Sequence, residues 1–274
     1  MTFRREVKKA ALLAALPCLA GETQRLLDLD LYSRLNPAGL QLAASGALRN
    51  VSVLDATYGV PTAYFQAGGT LAFSPSTGQA SLHLEAQPAL FVKLRVQGDW
   101  FRFFGRYWAL LSFPDGASPY GQSRLDERKG EEISAWGRRL LVQPTFQAQL
   151  GPVLLRNQVD GAWYRFQGPG PFFYEQEYDL LLKDGDALLA NRTQALCRAA
   201  AWKGTLYSGL FYEWTEARAA KLHRRRLGLL GFWEAGSAQG KLGRPRFFLQ
   251  TGFNLEDPNR RHQAFLVAGA GSSF

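Results

Sequence analysis

From Leu82 to Val96 the side chains alternate almost without error between apolar and polar. Leu82, Leu84, Ala86, Pro88, Leu90, Val92, Leu94 and Val96 share one parity; His83, Glu85, Gln87, Ala89, Phe91, Lys93 and Arg95 share the other. Successive side chains of a strand point to opposite faces, so the stretch predicts one greasy face and one largely polar face. Read as one strand it exceeds the usual soluble length, which suits a membrane barrel with lipid outside and water inside.

The same alternation recurs. Leu40, Leu42, Ala44, Gly46 and Leu48 oppose Gln41, Ser45 and Arg49, and Ala63, Phe65, Ala67, Leu71 and Phe73 oppose Tyr64, Gln66, Gly68 and Thr70. Leu140, Val142, Pro144, Phe146 and Ala148 oppose Arg139, Gln143, Thr145, Gln147 and Gln149; after a Gly151-Pro152 turn, Val153, Leu155, Val159 and Trp163 oppose Arg156, Gln158 and Asp160. Further segments fall near 186–201, 204–216, 225–236, 245–255 and 263–274. Residues Arg25–Leu35 fit both a strand and a helix face, and the reading is a plug-like or extended lead-in over 21–38. Short connections are expected near 74–78, 150–152, 202–204 and 236–244, and long ones near 51–60, 104–133, 168–185, 217–224 and 256–262. That asymmetry is the habit of transmembrane barrels, which have tight periplasmic turns and longer outer loops. The expected fold is an all-β, antiparallel, up-and-down transmembrane barrel over 39–274. It would have about ten strands, or about twelve if Arg25–Leu35 or part of 103–113 adds a hairpin.

Aromatic residues gather at strand ends. Trp100, Phe101, Phe103, Tyr107, Trp108, Trp163, Tyr164, Phe166, Tyr212 and Trp214 flank the long loops, and Phe73, Trp202, Trp233 and Phe274 mark the opposite end. Rings with an apolar body and a polar tip favour the membrane–water boundary.

The first twenty residues read as a secretory signal. Arg4, Arg5, Lys8 and Lys9 precede an apolar run from Ala10 to Leu16, and Cys18-Leu19-Ala20 before Gly21 offers a cleavage site. Cleavage after Ala20 removes four basic residues and Glu6, lowering the formal charge of +9 to +6 and leaving Cys197 as the one cysteine. An internal disulfide and a CxxC zinc site are then excluded. The basic residues are spread through strand-like segments, which argues against nucleic acid. The dense run Lys221–Arg226 reads as a solvated loop.

A signal segment, alternating strands, alternating loop lengths and a last strand ending in Phe274 together resemble bacterial outer-membrane β-barrel proteins. The resemblance implies an outer-membrane location and contact with its lipids. It also implies recognition by the barrel assembly machinery through the terminal strand, where Ala264, Leu266, Ala268, Ala270 and Ser272 share parity with Phe274.

The polar faces carry the candidate chemistry. Lys93, Arg95, Arg139, Arg156, Arg192, Arg198 and Arg246 are expected to line the lumen against Glu85, Asp99, Asp160 and Glu213, with Arg226 and Glu234 of the same parity. Such a lumen is either a filled ladder of ion pairs or a narrow pore biased toward anions. No G-x-S-x-G, HExxH, P-loop or dinucleotide motif occurs, and no cofactor or metal is expected. Three histidines are present. His83 is expected in the lumen, paired with Glu85. His223 and His262, near Glu216, Glu256 and Asp257, define the alternative of an outer-loop hydrolase. An Asp-rich segment, Tyr178–Asp186, is read as an ordinary turn rather than a calcium loop. A soluble periplasmic β-sandwich binding module is the remaining alternative.

Overall fold

The computed structural model describes residues 21–54, 61–168, 170–237 and 243–274; the leader read at 1–20 lies outside the described residues. Twelve strands form a closed antiparallel barrel in which each strand neighbours the next along the chain. They are β1 (Glu22–Leu35), β2 (Gly39–Leu54), β3 (Pro61–Phe73), β4 (Thr77–Ala89), β5 (Val92–Phe104), β7 (Ser134–Leu150), β8 (Val153–Phe166), β11 (Ala187–Ala201), β12 (Gly204–Ala217), β13 (Leu222–Ala235), β14 (Arg244–Glu256) and β15 (Ala264–Ser273). Three short strands, β6 (Ser112–Phe113), β9 (Phe172–Glu175) and β10 (Leu180–Lys183), make a separate small sheet, and among the described residues there is one short helix, α1, at Gln122–Glu127. Closure excludes the β-sandwich alternative.

The outside is apolar. Leu27, Leu29, Leu31, Leu40, Leu42, Leu82, Leu84, Leu94, Leu140, Leu229 and Leu249 are all exposed, a surface that water would not tolerate and hydrocarbon would. Aromatic side chains rim it at both ends. Phe73, Trp100, Trp136 and Trp163 are exposed near one end; near the other, Trp202 and Trp233 sit with ring centroids 5.6 Å apart, and Trp233 stacks on Phe247 at 5.7 Å.

The residues from Leu82 to Val96 are a hairpin, not one strand. β4 turns at Leu90-Phe91 into β5, with Glu85 opposite Arg95 and Ala86 opposite Leu94. Directly opposed residues of an antiparallel pair face the same side. Here the opposed residues have like parity, and a bulge between Ala86 and Ala89 absorbs the odd residue of the turn. The alternation therefore runs through the turn unbroken.

Residues 22–35, read as a lead-in, form β1, paired with β2 on one side and β15 on the other. With these two corrections the loop ends rearrange. The start of β1 and the end of β15 share an end with the two-residue turns at 90–91, 151–152 and 202–203; the long connections 105–133 and 167–186 lie at the other end with the turns at 36–38 and 74–76. By the loop-length habit of such barrels the first end is periplasmic and the second external. The 74–78 turn and Phe73 thus belong to the external rim.

The barrel closes where β15 meets β1. Phe274 N–H donates to the Leu27 carbonyl at 2.8 Å, so the last residue is laced to the first strand. On the inner face β15 presents Gly269 and Gly271. Across Gly271, Arg246 of β14 reaches Asp30 at 2.7 Å and Asp28 at 3.0 Å; across Gly269, Tyr32 meets Phe248 with ring centroids 5.8 Å apart. A Cβ on Gly271 would lie 2.0 Å from the Asp30 carboxylate and 2.7 Å from the Leu29 carbonyl. We expect Gly271→Val to lower unfolding stability in urea by about 1–3 kcal/mol through overpacking. Gly231→Ala, with nothing within 4 Å of its added Cβ, should leave the midpoint unchanged. Equal midpoints for both variants would remove the glycine seam as a closure device.

Candidate functional site: a half-plugged lumen

The two long external loops fold into the barrel rather than away from it. Leu110, Leu111, Phe113, Tyr120 and Leu125 from residues 105–133 join Phe173, Tyr174, Tyr178 and Leu180–Leu182 from residues 167–186. They pack on inward side chains of the wall: Leu141 of β7, Ala162, Tyr164 and Phe166 of β8, Leu188 and Ala190 of β11, and Ala217 of β12. This apolar plug fills the external half of the lumen on the β7–β13 side. Phe101, Phe103, Tyr164 and Phe166 therefore face inward, with Phe101–Phe103 stacked at 5.7 Å and Tyr164–Phe166 at 5.5 Å. They serve the plug, while their neighbours Trp100 and Trp163 stay in the outer girdle.

Buried charge pins the plug. Arg139 donates to Asp99 at 2.6 Å, to Glu177 of the plug at 2.6 Å and to the Tyr164 hydroxyl at 3.1 Å. Arg34 of β1 reaches across to the carbonyls of Gln176 and Glu177 at 2.6 and 3.0 Å. Asp179, fully buried, accepts from the Tyr174 hydroxyl at 2.6 Å and from Arg260 at 2.7 Å, with Arg224 at 4.0 Å. Glu213 is shared by Arg192, by Arg224 at 3.3 Å and by Arg226 at 3.8 Å. Glu175, within the plug, has its carboxyl pushed up to about 7 by burial and by the neighbouring Glu177.

The run Lys221–Arg226, read as a solvated loop, largely forms the start of β13. Arg224 and Arg226 point inward and are buried, while His223 and Arg225 face out. The Asp-rich segment Tyr178–Asp186 is structural: Asp179 clamps arginines, and Asp186 accepts the Ala187 and Ala219 N–H groups at 2.8 and 2.9 Å. Asp28, Asp30, Arg34, Arg49, Glu177 and Arg224 were not among the expected site residues. Asp28, Asp30 and Arg34 were legible in the Leu27/29/31 alternation once that segment is a strand.

On the opposite wall the lumen stays open and basic. Glu85 accepts from the Tyr64 hydroxyl at 2.6 Å and is shared by Lys93 at 3.5 Å and Arg95 at 4.0 Å. His83 lies in mid-strand with its ring against Gln66 at 3.3 Å, not against Glu85. Asp160 accepts from Gln143 and Gln158 at 2.8 and 3.0 Å. Arg156 bonds Gln158 at 2.8 Å, its Nε is buried without a partner, and among the described residues no carboxylate lies within 4.0 Å of it. Arg198 has the inward parity of β11 but is exposed, close to the periplasmic mouth. Beside the plug an external vestibule of about 880 Å³ is lined by Ser45, Thr70, Gln79, Ser81, Arg95 and Gln97. Toward the periplasm a second chamber of about 500 Å³ touches Arg156 and Arg246. Asp30 and Tyr32 border both.

The hydrolase alternative finds a pair without a cleft. His223 Nε2 lies 3.4 Å from Glu256 on the outer surface, both side chains well exposed and beside Arg225. His262 is an exposed loop residue whose N–H donates to the Asn254 carbonyl at 2.7 Å.

No protein-family model matches the chain, and no curated protein does. Among solved structures it is similar to the beta domain of the Bordetella autotransporter BrkA, at 13% identity over 92% of this chain and 99% of that one, TM-score 0.49. It is also similar to an outer membrane channel from Pseudomonas putida F1, at 13% identity over 93% and 96%, TM-score 0.44. A KdgM porin in complex with disordered oligogalacturonate matches at 7% identity over 91% and 99%, TM-score 0.41. Likenesses at this level concern the fold alone. The strand pairing and surface described above make this chain an outer-membrane-type β-barrel: closed, apolar outside, polar within, and fitted to the bacterial outer membrane.

Asp179→Asn removes the charge that holds Arg260 and Arg224 and should weaken plug docking by about 3–5 kcal/mol, because a buried guanidinium loses its partner. Hydrogen exchange at Leu180–Leu182 is the readout. In the unaltered protein the same amides report on Glu175. A docked carboxyl of raised pKa binds its proton more tightly than the free one, so docking carries no penalty at low pH. The penalty grows from the ordinary value of 4.5 up to about 7 and is complete above it. Protection corrected for intrinsic rate should therefore fall over that window; protection that is flat with pH, or unchanged in Asp179→Asn, would contradict these roles.

Proposed function

We propose that the protein is a narrow, anion-biased outer-membrane pore whose lumen is largely filled by its own loops. One observation carries the reading: along the open wall the cations Lys93, Arg95 and Arg156 outnumber the carboxylates Glu85 and Asp160, and among the described residues Arg156 makes no ion pair within 4.0 Å. Cationic side chains lining a constriction raise the local concentration of anions and repel cations. Arg95 borders the vestibule and Arg156 the periplasmic chamber, so the bias extends over both halves of the route. A twelve-stranded barrel lies between those filled by side chains and the open sixteen-stranded porins, and the plug narrows it further. In planar bilayers under a salt gradient, the reversal potential should show preference for chloride over potassium. The double variant Arg95→Glu, Arg156→Glu should reverse it. A silent or cation-selective protein would sink the proposal.

The same reading has residues 1–20 removed near Ala20 and β15 recognised by the barrel assembly machinery through Phe274. Supporting it, Phe274 is half-exposed at the end of the closing strand. Deleting Phe274 should lower the heat-modifiable, membrane-inserted fraction in cells by several-fold, while refolding in detergent proceeds; equal insertion would count against this role.

A further inference from the structure

The periplasmic chamber is walled in a way that a water-filled lumen does not require. Inward side chains of a small membrane barrel are ordinarily polar. Here Leu154 of β8, Leu196 of β11, Tyr207 of β12, Leu230 and Phe232 of β13 and Phe248 of β14 line one chamber as an apolar stripe. The register brings its members together. Leu154 lies opposite Leu196, Tyr207 opposite Phe232, and Phe232 opposite Phe248. Gly209 interrupts the row between Leu196 and Leu230, and Gly269 between Phe248 and Tyr32, which leaves the stripe open to the chamber. None of these six belongs to the plug core, which ends above them. Apolar surface left against water forgoes roughly 25 cal/mol per Å², so a standing stripe of this size favours an apolar occupant.

The charges around the stripe are unequal. Arg246 is neutralised by Asp28 and Asp30. Arg156, two residues from Leu154 on the same face, makes no direct ion pair: it bonds Gln158, which in turn bonds Asp160, and its Nε has no partner. A chamber of about 500 Å³, mostly apolar and with one oriented cation, has the build of a small-molecule site.

We propose that this chamber binds small amphipathic organic anions, of the aryl carboxylate or aryl sulfonate kind, with the anionic group on Arg156 and the ring body on the Tyr207–Phe232–Phe248 stripe. The proposal rests on the pore reading for its physiological use, since it names the solute class that such a route would favour, but binding is measured without any current. Calorimetric titration of the whole detergent-solubilised protein, with protein-free micelles subtracted, compares three probes. 2-Naphthalenesulfonate should bind about tenfold or more tighter than methanesulfonate, which has charge alone, and than 2-naphthol, which has the ring alone. Phe232→Ser and Leu230→Asn should each weaken 2-naphthalenesulfonate by about tenfold and leave methanesulfonate unaffected, and Arg156→Gln should remove the advantage over 2-naphthol. Two polar variants are used so that failure of one to fold does not decide the matter. Equal affinity for 2-naphthalenesulfonate and methanesulfonate, or unchanged affinity in the folded stripe variants, would overturn the site. Chloride preference in bilayers with no aryl preference in calorimetry rejects this site and keeps the pore. Aryl binding without chloride preference does the reverse.

Discussion

Hydrocarbon offers no hydrogen-bond partner, and the rest of this structure follows from that. A strand surrounded by lipid must pair on both edges, so the sheet closes and the first strand must meet the last. That requirement explains why the acidic, leucine-alternating β1 is a full stave and why β15 gives up its inner side chains at Gly269 and Gly271. The seam is narrow enough that Arg246 and Asp30 meet over a strand that carries no bulk between them.

Inside the barrel the governing constraint is the cost of unpaired buried charge. The external half is sealed with an apolar plug, and every arginine beneath it needs an acid. Asp99, Glu177, Asp179 and Glu213 are all committed there, holding Arg139, Arg192, Arg224, Arg226 and Arg260. The open wall is left with Glu85 for two cations, and with Asp160 reaching Arg156 only through Gln158. An uneven division of carboxylates thus makes one side of the lumen a fastened cap and the other a basic surface facing free volume. The apolar stripe below the plug sharpens the contrast, since it sits on the plugged side of the wall but beyond the reach of the plug itself.

Much of this was legible in the sequence, because a strand in a membrane barrel has only two faces and both leave a mark of period two. The parity of Leu82, Leu84, Arg139, Asp160, Arg192 and Phe274 could be read directly. Parity, however, carries no information about direction. The Leu90-Phe91 turn, with its compensating bulge, preserves the alternation, so a hairpin looked like one strand and the ends of the barrel were misassigned around it. Residues 22–35 misled for a related reason: Leu27, Leu31 and Leu35 fit a helix as well as a strand, and only pairing with β15, more than 200 residues away, decides between them.

The sequence by itself determined which faces meet lipid and which meet the lumen, since that choice is local and written in alternate side chains. Where the inward residues find partners is not local. Asp179 lay in what looked like an ordinary turn, and Arg224 in what looked like a solvated loop. They are brought together with Arg260 only because two loops fold back into the cavity that the closed sheet creates. The same holds for the stripe from Leu154 to Phe248, whose members are scattered over five strands and become one surface through register alone. Closure and plug docking decided these features, because both rest on contacts between segments distant in the chain, whose free energy no local pattern records.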